Sequence, residues 1–178
     1  MPRRQQRQLP PRSSFALGSK QHRVLNVVSG EVKITSTIAP SKHVTLTSNR
    51  WAQVMSLHQQ IDVEVKETRA VAFRAHIGDE YYVSVTDGYS CVDICRFYIP
   101  YGLPCEHVRP TRSRLGLRLD EWAHLLELVP TIHERHPELA TTEPCYTNVD
   151  HMEETQEGQC ECMSCFLFSN RQKALAIR

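Results

Sequence analysis

The sequence predicts an α+β fold in which two β-β-β-β-α units of one chain pack against each other as an intramolecular pseudo-dimer. Two observations lead to this prediction. Apolar and polar residues alternate along several short segments, as in half-buried strands, while two other segments follow a helical period. In addition, the stretch from Val44 to Ile61 recurs between Leu115 and Ile132, 71 positions later, which indicates a tandem duplication.

The repeat is anchored by Trp51 and Trp122, the only two tryptophans of the chain. The aligned stretches are identical at five of eighteen positions, and these identities fall on apolar residues. The other identical pairs are Leu46 and Leu117, Ala52 and Ala123, Leu57 and Leu128, and Ile61 and Ile132. A single β-β-β-β-α unit is too short to have an adequate core alone, so we expect the two copies to pack on one another.

The first unit is predicted over residues 15–68. Phe15, before Gly18, marks a first strand that matches Phe73 before Gly78, and Ser29-Gly30 is expected to join two later strands. The three strands that follow the first are expected at Arg23 to Val28, Glu31 to Thr37 and His43 to Thr47. Ser48 is the expected N-cap of a helix, whose buried face would hold Trp51, Val54, Met55 and His58.

The second unit is predicted over residues 69–137. Its four strands are expected from Val71 to Ala75, Tyr81 to Val85, Cys91 to Tyr98 and Leu115 to Leu119. Asp87-Gly88 is a hairpin signal, and Pro100, Gly102, Pro104 and Pro110 predict a long loop before the fourth strand. Asp120 is the expected N-cap of the following helix, which Pro130 is expected to interrupt or end.

Composition excludes several classes of protein. Of the 178 residues, 40% are hydrophobic and 23% charged, which is not the profile of a disordered or fibrous chain. No apolar run approaches the roughly 18 residues that span a bilayer, and the N-terminus lacks the apolar region of a secretory signal. We therefore expect an intracellular protein without membrane contact, with a disordered basic arm over residues 1–14 and an acidic, cysteine-rich tail over residues 138–178.

Charge is unevenly distributed along the chain. Net charge is +1, yet six basic residues precede the first acidic one, Glu31. These basic residues are Arg3, Arg4, Arg7, Arg12, Lys20 and Arg23. Such an arm contacts phosphate nonspecifically in many proteins, and the alternative is a solvated tail that aids solubility.

The segment from Tyr81 to Ile132 resembles the transcriptional positive cofactor 4 family of single-stranded-DNA-binding coactivators. Tyr82-Val83-Ser84-Val85, Asp93-Ile94 and the stretch from Leu117 to Trp122 occupy the places of that family's strand and helix motifs. The resemblance covers the second unit, and the first only through the internal repeat. It implies β4α units that pair through their helices and form a groove for single strands, an arrangement related to Pur-repeat and Whirly-type folds.

Candidate nucleic-acid-binding residues follow from the strand pattern and from the resemblance. Bases stack on aromatic rings, and sheets present rings and cations at regular spacing. The resemblance aligns Tyr98 with a base-stacking Trp, and Tyr89 replaces a hairpin aromatic whose flanking lysines are absent here. Arg96 and Arg118 have a solvated strand face as their alternative, and Tyr81 and Phe97 are expected in the core. The candidates are Arg3, Arg4, Arg7, Arg12, Lys20, Arg23, Lys33, Tyr82, Tyr89, Arg96, Tyr98 and Arg118, and a basic loop of Arg109, Arg112 and Arg114, with Lys42 opposite in the repeat, adds to them.

Cysteines suggest a metal site in the tail. Zinc takes four thiolate or imidazole ligands, and the C-x-C-x-x-C spacing can supply three of them. The candidate ligands are Cys145, His151, Cys160, Cys162 and Cys165, with free thiols as the alternative. Cys105 and His107 form a second candidate pair of ligands. Cys91 and Cys95, on one face of a strand, are instead expected to be residues of the protein core.

The predicted function is binding of nucleic acid, preferably single-stranded DNA and alternatively RNA, in transcription or DNA replication in the nucleus. No nucleophile elbow, phosphate-binding glycine loop or H-E-x-x-H motif occurs, so we do not expect an enzyme. The alternative is a structural or assembly protein, for example of a virus, that keeps the fold without a working groove. In that reading the tail docks a protein partner. The chain would be a monomer with two paired halves or a homodimer.

Overall fold

Two antiparallel sheets of four strands, each followed by helices, make up the fold in a computed structural model of the chain. The structure describes residues 12–66, 73–78, 80–85, 90–98 and 109–144. In each sheet the strands are neighbours in their order along the chain. The predicted α+β class with two four-stranded units is therefore confirmed. Among the described residues, no helix is long and apolar enough to cross a membrane.

The first sheet agrees closely with its predicted strands. Its strands are β1 (Arg12–Leu17), β2 (Arg23–Val28), β3 (Glu31–Ser36) and β4 (His43–Leu46). Ser29 and Gly30 join β2 to β3 with φ angles of 52° and 77°, the left-handed values that a tight hairpin turn requires. The prediction of disorder is wrong for residues 12–14, because Ser13 pairs with Val27 inside β1 and is buried. The rest of that arm, residues 1–11, lies outside the described residues.

Two helices follow the first sheet where the sequence predicted one. Helix α1 covers Ser48–Ser56 and helix α2 covers His58–Lys66. The N-cap is Thr47 rather than the predicted Ser48, and its side chain accepts from the backbone N–H of Arg50 at 3.5 Å. Between the helices, the His58 ring bonds to the carbonyl of Met55, a side-chain contact that competes with the helical ladder.

The second sheet is longer than predicted. Its strands are β5 (Phe73–Gly78), β6 (Tyr81–Val85), β7 (Cys91–Tyr98) and β8 (Arg109–Arg118). The prediction that the fourth strand begins at Leu115 is wrong. After a register shift beyond Cys95, Phe97 pairs with Pro110 and Tyr98 with Arg109. Pro110 is tolerated there because β8 is an edge strand of this sheet.

The helices after the second sheet correct three predictions. Helix α3 covers Leu119–Arg135, with Arg118 as its N-cap, because the carboxylate of Asp120 binds Ser19 instead. Pro130 does not end this helix, which continues to the fully buried Ile132 and beyond. Helix α4 covers Pro137–Thr141 and buries Leu139, so the tail does not begin at residue 138.

The core lies between the inner faces of the sheets and the helices. Trp51 and Trp122 are almost fully buried, as predicted, and so is most of Tyr81. Phe97 and Cys91 are only partly buried, so their predicted place in the core is wrong, whereas Cys95 is buried. Strand alternation explains this, since Cys91 and Phe97 point away from the face that buries Val92 and Ile94.

Each half of the molecule contacts the other through its helices. Helix α3 packs on β1, helix α1 packs on β5, and the edge strands β4 and β8 lie together. The indole N–H of Trp51 donates to Nε2 of His133 at 3.0 Å, and that of Trp122 donates to Oδ1 of Asp62 at 2.9 Å. Asp62 and His133 are themselves 71 positions apart, so these two hydrogen bonds occupy corresponding places in the repeat.

Candidate nucleic-acid interface

Strand alternation sorts the second sheet into two faces. Val83, Val92, Ile94 and Leu117 are buried on the inner face. The intervening residues point to the outer face, and the strand register arranges them in rows across the sheet. One row holds Arg74, Ser84, Asp93 and Gly116, and the next holds His76, Tyr82, Cys95 and Arg114.

An aromatic cluster, formed by His76, Tyr82 and Phe97, lies on this outer face. The Tyr82 ring meets His76 edge-to-face with ring centroids 5.1 Å apart and meets Phe97 in the same way at 5.2 Å. The guanidinium of Arg74 lies 5.2 Å from the centre of the Phe97 ring. Tyr98, the next residue of β7, is 42% exposed at the end of the strand, where alternation turns its side chain to the opposite side of the sheet from Phe97. Rings and a cation are thus held together at one surface.

Four arginines lie along β8, the edge strand next to β7, and form what we call the arginine row: Arg109, Arg112, Arg114 and Arg118. All four are exposed. Arg114 forms an ion pair with Asp93 at 3.0 Å, while none of the described acidic residues forms an ion pair with the other three. Strand geometry separates alternate residues by about 7 Å, which spreads these charges along the sheet edge.

Burial shifts the pKa of the ionisable groups between the cluster and the arginine row. Burial raises the pKa of the Cys91 and Cys95 thiols, and the nearby Asp93 carboxylate raises the pKa of both further. Burial also raises the pKa of Asp93, against the effect of Arg114. The two cysteines are therefore thiols at neutral pH, with little thiolate to bind metal or to react.

No cluster of three or more metal-ligating side chains occurs in the part of the chain that the structure describes. The predicted zinc ligands Cys145, His151, Cys160, Cys162 and Cys165 lie outside that part, as do Cys105 and His107. The zinc site therefore stays a prediction.

The outer face of the first sheet has a different character. Its two central rows hold Ala16, Val24, Thr35 and His43, and Ser14, Asn26, Lys33 and Thr45. No Phe, Tyr or Trp lies on this face among the described residues, since Phe15 packs against the core. Small and polar side chains dominate, with Lys33 as the exposed cation of the central rows.

The predicted binding residues are divided between several places. Tyr82, Arg96, Tyr98 and Arg118 lie on the second sheet, and Arg96 forms an ion pair with Glu80 at 3.5 Å. Arg12, Lys20 and Lys33 are exposed on the first sheet and its turn. Arg23 points inward instead, where it donates to Ser36 Oγ and lies 4.0 Å from Glu121. Arg3, Arg4, Arg7 and Tyr89 lie outside the described residues.

Sequence reasoning missed several residues of this face. Arg74 and His76 were detectable from the alternation of β5, which places them opposite Phe73 and Ile77. Phe97 was detectable as well, because alternation along β7 places it on the face opposite the buried Val92 and Ile94. The arginines of residues 109–114 were expected on a loop, and the structure places them on a strand of the same sheet.

Charge divides the molecule into a basic side and an acidic side. Among the described residues, the sheets and their turns hold eleven lysines and arginines against three acids, Glu31, Glu80 and Asp93. The helices and the segment after them hold three basic residues and eight acids. A polyanion is therefore attracted to the sheets and repelled by the helices. No family model, curated protein or solved structure matches the chain.

Proposed function

We propose that the protein binds single-stranded nucleic acid, DNA in the first instance, on the outer face of its second sheet. The observation that supports this proposal is the placement of partly exposed aromatic rings beside the arginine row on one basic surface. The strands β7 and β8 that carry this surface are long enough to receive an extended strand.

Stacking supplies the first part of the binding energy. The aromatic cluster offers the partly exposed rings of Tyr82 and Phe97 to unpaired bases on the outer face, and Tyr98, 42% exposed at the end of β7, adds a ring at the edge of the sheet. Each base stacked on an aromatic ring contributes about 1–3 kcal/mol. A duplex hides its base faces within its own stack, so this contribution favours single strands over double strands.

Phosphate contacts supply the second part. Arg109, Arg112 and Arg118 have no acidic partner among the described residues and can each meet a phosphate at little desolvation cost. Arg114 is shared with Asp93, which reduces its contribution. We therefore expect the backbone of the strand to follow β8 while its bases lie over β6 and β7, with affinity that falls as salt rises.

We further propose that the two halves act as an intramolecular pseudo-dimer, with only one half carrying the ring platforms. The corresponding hydrogen bonds from Trp51 and Trp122 support the pairing. The first sheet lacks aromatic rings on its outer face, so it adds charge through Lys33 but no stacking. A binding surface of this kind suits a coactivator-like role in transcription or DNA replication.

The test is binding of a labelled strand of about 20 nucleotides and of its duplex, measured by fluorescence anisotropy. Phe97→Ala should weaken single-strand binding by about tenfold, from the loss of one stacked base. Lys66→Ala removes an exposed charge on the helical side and serves as the control. Equal affinity of wild type and Phe97→Ala, with unfolding temperatures unchanged, contradicts the proposal and favours the assembly role.

A further inference from the structure

Two contacts across the halves occupy corresponding places but use different chemistry. Arg23 of β2 lies 4.0 Å from the Glu121 carboxylate of α3 and also donates to the carbonyl of Gly116 in β8. In the other direction, the guanidinium of Arg50 in α1 lies 4.5 Å from the ring centre of Tyr81 in β6. One contact is therefore an ion pair and the other a cation–π pair.

Register shows that these contacts correspond. Arg50 and Glu121 are 71 positions apart and directly precede the two tryptophans of the repeat. Arg23 and Tyr81 both begin their strands, two residues before Leu25 and Val83, which pair with Ile34 and Ile94 in the neighbouring strands. Arg23 of the first half therefore corresponds in position to Tyr81 of the second, and Arg50 corresponds to Glu121.

A pair made from two copies of the same half would lose both contacts. Two first halves would place Arg23 against Arg50 twice, with like charges at a contact where Arg23 is largely buried. Two second halves would place Tyr81 against Glu121, whose surface is only 4% exposed, and leave that carboxylate without its cation. A buried carboxylate that loses its partner is strongly destabilising, and like charges across an interface reject wrong partners.

We propose that these four positions make the interface selective, so that each half accepts the complementary half of this chain and rejects a second copy of itself. The inference rests on the proposed pseudo-dimer and adds the rule by which its halves recognise each other. The linked half is present at an effective concentration in the millimolar range, so the chain closes on itself as a monomer.

Exchange of two side chains should reverse this selectivity. In the double variant Arg50→Glu with Glu121→Arg, the halves of one chain would place Arg23 against an arginine and Tyr81 against a glutamate. The same variant satisfies both pairs of like halves, because Arg23 then meets a glutamate and Tyr81 meets an arginine. Composition and net charge are unchanged, but the exchange also removes the carboxylate that accepts from the backbone N–H of Arg118, so a further variant that shares this loss is the control.

The measurement is the mass of the full-length chain by light scattering after size exclusion, over a series of concentrations. Wild type should elute at 20.5 kDa, and the double variant should shift to twice that mass or lose its folded state. Adding Arg23→Tyr and Tyr81→Arg restores both complementary contacts within one chain, so this quadruple variant should return to a folded monomer. A stable monomeric double variant, or a quadruple variant that does not recover, overturns the proposal.

A single variant separates failure of the selectivity from failure of the pseudo-dimer itself. Glu121→Gln keeps an acceptor for the backbone N–H of Arg118 but removes the charge that meets Arg23, so it should lower the unfolding temperature below that of Glu127→Gln, which changes an exposed acid of the same helix. Equal effects of these two variants would show that the contact between Arg23 and Glu121 does not stabilise the fold, and would contradict the proposed pairing of the halves. A clear difference, combined with a monomeric double variant, would leave the pairing in place and refute only the selectivity.

Discussion

The inner faces of the two sheets of this protein are alike, whereas their outer faces differ. Val32 and Ile34 of β3 correspond to Val92 and Ile94 of β7, and all four are buried. On the outer faces, Val24 of the first sheet takes the position of Tyr82 in the second, since Leu25 and Val83 correspond. The apolar pattern that the fold requires is kept in both halves, while the chemistry suited to a ligand is concentrated in one.

The largest expected effect tests whether the cores of the two halves contribute equally to the free energy of unfolding. Leu46→Ala in β4 and Leu117→Ala in β8 remove fully buried side chains at corresponding positions. Each should lower the free energy of unfolding by about 2–5 kcal/mol, since both leave a cavity in the core. Chemical denaturation of both variants measures this, with Lys33→Ala as the exposed control. A loss confined to one variant would show that only one half is tightly packed.

The next largest effect should appear in binding. Tyr82→Ala removes the central ring of the aromatic cluster and should weaken single-strand binding by about 1–3 kcal/mol. Val24→Ala, at the corresponding position of the first sheet, should leave the affinity unchanged. Anisotropy titrations of the two variants measure the difference, after circular dichroism has established that both are folded. Equal losses would mean that both outer faces contribute to binding.

A smaller effect should distinguish the two indole hydrogen bonds. Burial lowers the pKa of His133, whose neutral Nε2 accepts from Trp51. The unfolded chain binds this proton more readily, so the stability is full above pH about 6.5 and falls as pH drops below that value. His133→Gln keeps an acceptor without titrating and should flatten the decline in thermal unfolding temperature. An unchanged pH profile in this variant would exclude His133 as its source.

The smallest expected effect concerns salt. Arg112→Ala removes one phosphate contact and should reduce the slope of log affinity against log salt by about 0.7, the value for one phosphate of a single strand. Glu127→Gln, on the acidic helical side, should leave the slope as it is in the wild type. Binding of both variants is measured over a salt series. An unaltered slope for Arg112→Ala would mean that the backbone of the nucleic acid does not follow β8.

Much of the fold could be predicted because it depends on local patterns. The alternation of Arg23 to Val28 gave β2 its limits, and the Trp51 and Trp122 repeat identified the two helical segments. The N-caps and the course of α3 could not be predicted, since Asp120 binds Ser19 from the other half and burial of Ile132 carries the helix past Pro130. Those outcomes depend on contacts distant in sequence.

The candidate site was predicted less completely, for a different reason. Tyr82 and Tyr98 were found from the strand pattern and the family resemblance, and both lie on the second sheet. The structure turns Arg23 inward toward Glu121, because its strand parity places it on the core face. Phe97 lies on the outer face because its parity is opposite to that of the buried Ile94, so both positions follow from strand alternation, which the choice of candidates by residue type did not apply.

The central claim is that a single strand lies on the outer face of the second sheet. Photo-crosslinking of the full-length protein to a single strand that carries 5-iodouracil, followed by peptide mass spectrometry, tests this most directly, because the reactive base couples to the ring on which it stacks. We expect crosslinks at Tyr82 or Phe97. Crosslinks found solely on the first sheet or within residues 1–11 would contradict the claim and place binding elsewhere.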